Sequence, residues 1–296
     1  MANCLKDIFK SILVDPFLDS RVSRIPPPFQ EAGIFSRSTN LSPAAAAPSA
    51  GVGKFVSPRA HPVPRAPWLF MLPRDISLFI QGARTDARIA RLQRDAGARA
   101  AFETIYTESA DPWASASPCY RYQGLKYDKL IALLPQRRFA NALDLGCGLG
   151  LLSQKLAERA ERVLGIDIAT SAIDHARRRA AAFSNLEFEP GDILGLPVSF
   201  DGKFDLVVIA DVLYYVSPLD EVVLKSVVRR IADLLSPGGT CLLANHFFFS
   251  ADRDSKVSLK IHRAFSDCPR FAVMSEHRRA FFLATLLTGR SQLISA

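Results

Sequence analysis

Asp144-Leu145-Gly146-Cys147-Gly148-Leu149-Gly150 is the stretch whose reading decides the fold. It closes the apolar run ANALDLG and leads directly into LGLLSQKLAERA, where apolar residues recur at three- and four-residue spacing. Strand, glycine turn and helix in that order open a β-α-β unit. Glycines let the backbone turn tightly and let a ligand approach where a Cβ would stand. A helix starting near Leu151 then points free N–H groups at that ligand. On the turn alone, several nucleotide-type cofactors fit, and so does a plain packing turn. Cys147, inside the turn, reads as a small filler rather than a nucleophile.

Downstream, RVLGIDI, LEFEPGDI, FDLVVIADVL and GTCLLANHFFF read as strands, and TSAIDHARRRAAAF and LDEVVLKSVVRRIADLL as helices. Such alternation requires crossover connections and therefore a doubly wound, mostly parallel sheet. RFAVMSEHRRAFFLATLLTG adds two strands, with a turn expected near His277–Arg279. Upstream, DPWASASPCYRYQGLKYDKLIALLP is polar, aromatic and turn-rich before helical periodicity resumes. From Asp75 to about Glu108 the Ala-, Arg- and Leu-rich pattern predicts an amphipathic helix or helix pair, broken near Gly97. Ten of the nineteen prolines fall in residues 1–70. Proline removes backbone donors and forbids long helices, so that segment is expected to be extended and mobile. It reads as a dispensable tail, with Met71 as a candidate start, more than as a tether or targeting arm. The organisation expected is an extension (1–70), a helical segment (71–110) and a catalytic-type domain (111–296).

The 296-residue length allows a full core, and 49% hydrophobic content excludes collagen-like, wholly disordered and disulfide-scaffold classes. Five scattered cysteines without a C-x-x-C argue against a disulfide framework or a zinc site, and for a reducing cytosol, hence a cytoplasmic protein. No apolar stretch reaches the roughly 18 residues of a membrane span. The net charge of +8 raises the question of nucleic acid, but residues 101–250 carry fifteen basic and eighteen acidic side chains. The positive excess lies on the flanks, where it reads as solvated surface rather than a nucleic-acid footprint.

Three carboxylates fall at the ends of successive strands. Asp167 closes RVLGID, seventeen residues past Gly150, where it can accept both hydroxyls of a ribose. Asp192, in the GDI step, is expected to close the third strand and, beside Ile193, to accept from an adenine amine. Asp211 follows the fourth strand, after Ala210. One such residue is ordinarily a helix cap. Three on one sheet edge beside a glycine turn mark a ligand crevice.

These residues resemble the class I S-adenosylmethionine (SAM)-dependent methyltransferases over about residues 110–290. The resemblance rests on D-x-G-x-G-x-G, Asp167, GDI, DLVVIADVLYYV and LLSPGGTCLLAN. It implies SAM as cofactor, with a nicotinamide oxidoreductase as runner-up. It also implies a seven-stranded sheet of order 3-2-1-4-5-7-6, strand 7 antiparallel. Asp144, Gly146, Cys147, Gly148, Gly150, Asp167, Ile168, Asp192, Ile193, Ala210 and Asp211 would then hold the cofactor, and no metal is called for. More narrowly, DPWASASPCYRYQGLKYDKLIALLP resembles the N-terminal signature of NodS-type nodulation methyltransferases, which N-methylate a deacetylated glucosamine at the end of a chitooligosaccharide. That would place Trp113 and Tyr127 in a lid over cofactor and acceptor. Residues 251–270 show no matching acceptor motif.

Methyl transfer from a sulfonium is an in-line displacement that chiefly needs alignment and exclusion of water. An amine acceptor must arrive neutral, whereas a hydroxyl needs more activation. His246, after the fifth strand, is the best candidate for proton removal, although a histidine packed at a strand end fits equally. Tyr214 and Tyr215 are candidate acceptor contacts. Phe247, Phe248 and Phe249 suggest an apolar wall, and Tyr120, Tyr122 and Trp113 a stacking surface. His175, among Arg177–Arg179, reads as solvated. The leading expectation is N-methylation of an amino sugar or related small molecule. The alternatives are O- or C-methylation of a lipid-like or aromatic metabolite, and a non-catalytic methyltransferase-like binding module. Oligomeric state is not legible.

Overall fold

Seven strands form one sheet of order β3-β2-β1-β4-β5-β7-β6. They are β1 (Phe139–Leu145), β2 (Ala160–Asp167), β3 (Leu186–Pro190), β4 (Phe204–Ala210), β5 (Leu235–His246), β6 (Phe271–Arg279) and β7 (Phe282–Gly289). Strands β1 to β5 pair in parallel, and β7 runs antiparallel to both β5 and β6. The computed structural model describes residues 73–247, 253–279 and 281–290. The expected extension 1–70, and Phe248 and Phe249, lie outside these residues.

The strand sequences are apolar on both faces because helices cover both. Along β1, β4 and β5, alternate residues enter separate cores. Ala142, Leu206, Val208 and Leu242 face one core, with Leu130, Leu152, Leu156 and Ile173 from the covering helices. Leu143, Val207, Ile209 and Leu243 face the other, with Leu224, Val227, Ile231, Ile261 and Phe265. The helices are α1 (Pro73–Glu108), α2 (Arg121–Leu133), α3 (Leu151–Ala157), α4 (Thr170–Arg179), α5 (Glu221–Leu234) and α6 (Arg253–Ser266). Helix α1 is interrupted at Gly97, whose φ of 82° and ψ of 169° end one helical segment and start another.

Two expectations are corrected, and one helix is added to those read from the sequence. The β6–β7 turn falls after Arg279, not at His277–Arg279, so His277 and Arg278 stay in register with Ala284 and Leu283. Strand β3 stops at Pro190, before the GDI step, because proline cannot continue the ladder and Gly191 turns the chain. Helix α6 was not expected at all. Its Val257, Ile261, Ala264 and Phe265 pack on the second core at helical spacing.

Phe265 is fully buried and packs at a tilt against Phe271 with ring centroids 5.6 Å apart. Phe265→Ala should cost about 3–5 kcal/mol in urea unfolding, the range for emptying a large aromatic site. A cost under about 1 kcal/mol would show that α6 does not close this core.

Candidate active site

In the order 3-2-1-4 the winding of the chain across the sheet reverses between the parallel strands β1 and β4, and the carboxyl ends of those strands bound a crevice. The glycine turn rises from β1 into it. Gly146, Gly148 and Gly150 all have positive φ, at 72°, 51° and 71°. Gly146 and Cys147 donate to the Ile166 carbonyl at 2.7 and 3.0 Å, so the turn is fastened to β2. A Cβ on Gly146 would collide with Val212 and one on Gly150 with Phe188. A Cβ on Gly148 would stand 2.8 Å from the Tyr106 hydroxyl, which reaches over the turn from α1. Burial pushes the Tyr106 hydroxyl up, and Asp167 and Cys147 act in the same direction.

Asp167 ends β2 with both carboxylate oxygens engaged. Oδ2 accepts from Gly148 N–H at 2.9 Å, and Oδ1 from Ala169 N–H at 3.0 Å. Burial raises its carboxyl, and the backbone donors oppose that rise. The Ile168 carbonyl accepts from Arg99 of α1 at 2.9 Å, and Ser171 N–H donates to Glu103. Asp144 lies under the turn, 2% exposed, accepting from Ser153 of α3 at 2.6 Å. Burial carries its carboxyl up to about 6 against that hydrogen bond.

Asp192 is exposed and lies beyond the strand it was expected to close. Its Oδ1 caps a short 3-10 turn by accepting from Leu194 N–H at 3.0 Å, while Ile193 packs against the second core. Ala210 is the last residue of β4, opposite Ala244. Asp211 follows it in the left-handed region (φ 59°) and donates its N–H to the Ala244 carbonyl. Lys126 of α2, 3% exposed, ion-pairs with Asp211 Oδ2 and lies near the Phe282 ring. Asp211 Oδ1 and the Tyr122 hydroxyl are buried and have no partner among the described residues. Tyr127 packs into the first core, and burial pushes its hydroxyl up.

A second group forms where α1 meets the sheet edge. Trp113 Nε1 donates to Asp86 Oδ1 at 2.8 Å, and the Tyr215 hydroxyl donates to the same oxygen at 2.6 Å. Burial raises the Asp86 carboxyl, opposed by these two hydrogen bonds and by His246. Tyr214 packs at a tilt against Tyr215 with centroids 4.5 Å apart and meets the His246 ring edge-on at 4.4 Å. Phe102 and Tyr106 flank Trp113 at 6.4 and 5.7 Å. The structure thus joins Trp113, Tyr214, Tyr215 and His246, and sets Tyr120 and Tyr122 apart with Phe281. Phe247 is buried beneath Arg278, on the outer strands. His175 is not simply solvated: one ring nitrogen lies 3.2 Å from the Tyr106 carbonyl and the other meets Arg178, joining α4 to α1. Asp86 and Lys126 carried no spacing signal in the sequence, because each acts only after a helix has docked.

The raised Asp144 carboxyl makes a pH prediction. A folded-state pKa of about 6 against an ordinary 3.8 means that the fold favours the protonated form. Stability from this group is greatest in acid, falls between the two values, and is flat above the higher one. The stability of Asp144→Asn relative to the unaltered protein should therefore rise by about 2 kcal/mol from pH 4.5 to pH 7.5 in denaturant titrations. A pH-independent difference would mean that the carboxyl is not held up.

A methyltransferase-domain family model matches residues 138–277. Nodulation protein S of Rhizobium tropici is 30% identical over 182 residues, 61% of this chain and 67% of that protein. Ubiquinone biosynthesis O-methyltransferase of Erwinia tasmaniensis is 28% identical over 163 residues, 55% of this chain and 63% of that protein. The chain thus spans about two thirds of the length of these curated relatives. Among solved structures, N-methyltransferase NodS from Bradyrhizobium japonicum WM9 in complex with S-adenosyl-L-homocysteine (SAH) matches with a TM-score of 0.52 at 19% identity. That match covers 71% of this chain and 99% of that one, and shows a shared fold. The crevice suits the cofactor of such folds. The Asp167 carboxylate, accepting from the backbone of Gly148, Ala169 and Ile168, keeps acceptor capacity for a hydroxyl, and Asp211 Oδ1 and the Tyr122 hydroxyl offer buried polar atoms. The chain belongs to the class I SAM-dependent methyltransferases, resembles nodulation protein S within them, and takes SAM as its cofactor.

Proposed function

We propose that this methyltransferase acts on the amine of a small-molecule acceptor, an amino sugar or its oligosaccharide. The observation that carries the reading is the 30% identity to nodulation protein S over 182 residues. The aromatic and carboxylate surroundings of His246 support it, because an amine offers a lone pair once its proton is lost and needs little activation. When bound, SAM supplies an electrophilic methyl group on a cationic sulfur.

In this reading Asp167 receives the ribose hydroxyls, and the turn from Gly146 to Gly150, with Cys147 as filler, lets the cofactor lie close to the backbone. Asp144 holds the first turn of α3 through Ser153. Asp192 uses its second carboxylate oxygen for the adenine amine, with Ile168 and Ile193 as apolar neighbours of the base. Ala210 leaves room at the end of β4, and Asp211 Oδ1 takes a polar donor of the cofactor. Trp113 and Tyr127, on the segment between α1 and β1, exclude water above it. His246 accepts the acceptor's proton, and Tyr214 holds the His246 ring edge-on. Cys119, Cys147, Cys241 and Cys268 are free thiols, which fits a reducing cytoplasm. No described helix is long and apolar enough to cross a membrane.

Likeness to a ubiquinone biosynthesis O-methyltransferase favours a second reading, O-methylation of an aromatic hydroxyl. Methyl transfer from labelled SAM to chitotetraose deacetylated at its non-reducing end, beside a catechol, separates the two. Label in the oligosaccharide amine is expected, and label in the catechol alone would overturn the amine reading. Asp167→Ala should weaken SAH binding by about 1–3 kcal/mol, the loss of a charged hydrogen-bond acceptor. Calorimetry showing unchanged affinity in a folded variant would remove Asp167 from the cofactor site.

A further inference from the structure

We propose that Asp86, on the N-terminal helix and outside the methyltransferase sheet, is the residue that recognises the acceptor amine, in a box walled by Trp113, Tyr214, Tyr215 and His246. The inference rests on the amine reading given above and names the group that would select for it.

Three elements converge on this carboxylate. Helix α1 supplies it, the turn after α1 supplies Trp113, and the 3-10 turn after β4 supplies Tyr215. Both donors go to Oδ1, so Oδ2 accepts from neither. An ionised carboxylate has room for about four hydrogen bonds, and the two made here leave capacity on the side they do not reach.

A staple for the lid does not need a charge at this position. Thr85 and Gln81 already hold the Pro112 carbonyl, at 2.8 and 3.4 Å, and Gln93 holds the Tyr215 carbonyl at 2.9 Å. These neutral contacts fasten α1 to the same two turns. A half-buried carboxylate adds a desolvation cost that a neutral acceptor would avoid. Among the described residues, no lysine or arginine forms an ion pair with Asp86. Its electrostatic neighbours are His246 and Asp254. A negative group with neutral donors on one oxygen, beside aromatic rings, is complementary to an ammonium or amine N–H.

The box also stands beside the cofactor crevice. Tyr215 lies four residues beyond Asp211, and its ring meets Phe102 edge-on at 5.3 Å. Trp113, the other donor to Asp86, packs 5.7 Å from Tyr106, whose hydroxyl reaches over Gly148. Contacts therefore run from Asp86 through Trp113 and Tyr106 to the glycine turn.

The probe is chitotetraose deacetylated at its non-reducing end, with fully acetylated chitotetraose as the neutral control, measured on the full chain saturated with SAH. Asp86→Asn keeps an oxygen for Trp113 and Tyr215 and removes the charge. It should weaken binding of the amine probe by about tenfold or more and raise KM more than it lowers kcat. SAH affinity and the melting temperature should stay near those of the unaltered protein, and Asp86→Glu should recover part of the loss. Thr85→Val, which loosens the same turn without touching the carboxylate, should leave amine binding within about threefold. Unchanged amine binding in Asp86→Asn would overturn the proposal, as would a parallel loss of SAH binding or an equal loss in Thr85→Val, since those mark a staple. If the unaltered protein itself neither binds nor methylates the amine probe, the amine reading falls and Asp86 falls with it.

Discussion

Asp167 holds two loops with one side chain, and the cofactor edge depends on it. Its two oxygens fasten Gly148 of the turn after β1 and Ala169 at the start of α4. Backbone amides at positive φ gain little from regular ladders, so a carboxylate that collects them fixes a turn that glycine alone would leave loose. The arrangement works only because β1 and β2 are parallel neighbours, with Leu145 beside Ile166. Parallel order in turn demands helices on both faces, and these account for the two cores. The crevice is thus a consequence of strand order before it is a consequence of any single site residue.

A second restraint ties the flank to the sheet. Lys126 is buried against Asp211, which has the left-handed backbone of a tight exit from β4. A buried ion pair of this kind is weak evidence for net stability, because desolvation offsets much of the attraction. Its effect is better described as registration: α2 can settle at only one place over the β4 end if the lysine is to keep its partner. Tyr122, one turn before Lys126, is thereby brought into the electrostatic surroundings of Asp211.

The sheet was legible in the sequence because its signal is local: apolar runs of strand length, each followed by a turn residue and a helical period. The glycine turn, Asp167 and Asp211 share that property, since each stands at the end of its own strand. The GDI step misled because proline ends β3 early, and the aspartate after it serves a 3-10 turn. Helix α6 has a helical period in Val257, Ile261, Ala264 and Phe265, but the intervening Lys260, His262 and Arg263 blur it. His262 is in fact buried, bonded through Nδ1 to Thr285 at 2.6 Å, and burial brings its pKa down to about 3. No spacing rule connects position 86 with 113 and 215. Those three meet only when α1 docks.

That division has a chemical meaning. The glycine turn, Asp167, Asp192 and Asp211 sit on strand ends or the loops that follow them, where the fold itself sets their spacing. The groups around Asp86 come from α1 and the turn after it; they meet the sheet edge at Tyr214, Tyr215 and His246, and Phe102 and Trp113 pack toward Leu149 and Ala169. Helix α1 is tied to the rest of the fold by its buried Ile89, Ala101, Ile105 and Tyr106 and by polar contacts of Gln93, Arg99 and Glu103, yet none of these fixes strand order. Relatives named nodulation protein S and ubiquinone biosynthesis O-methyltransferase both match this one chain, so the common fold does not by itself fix the acceptor.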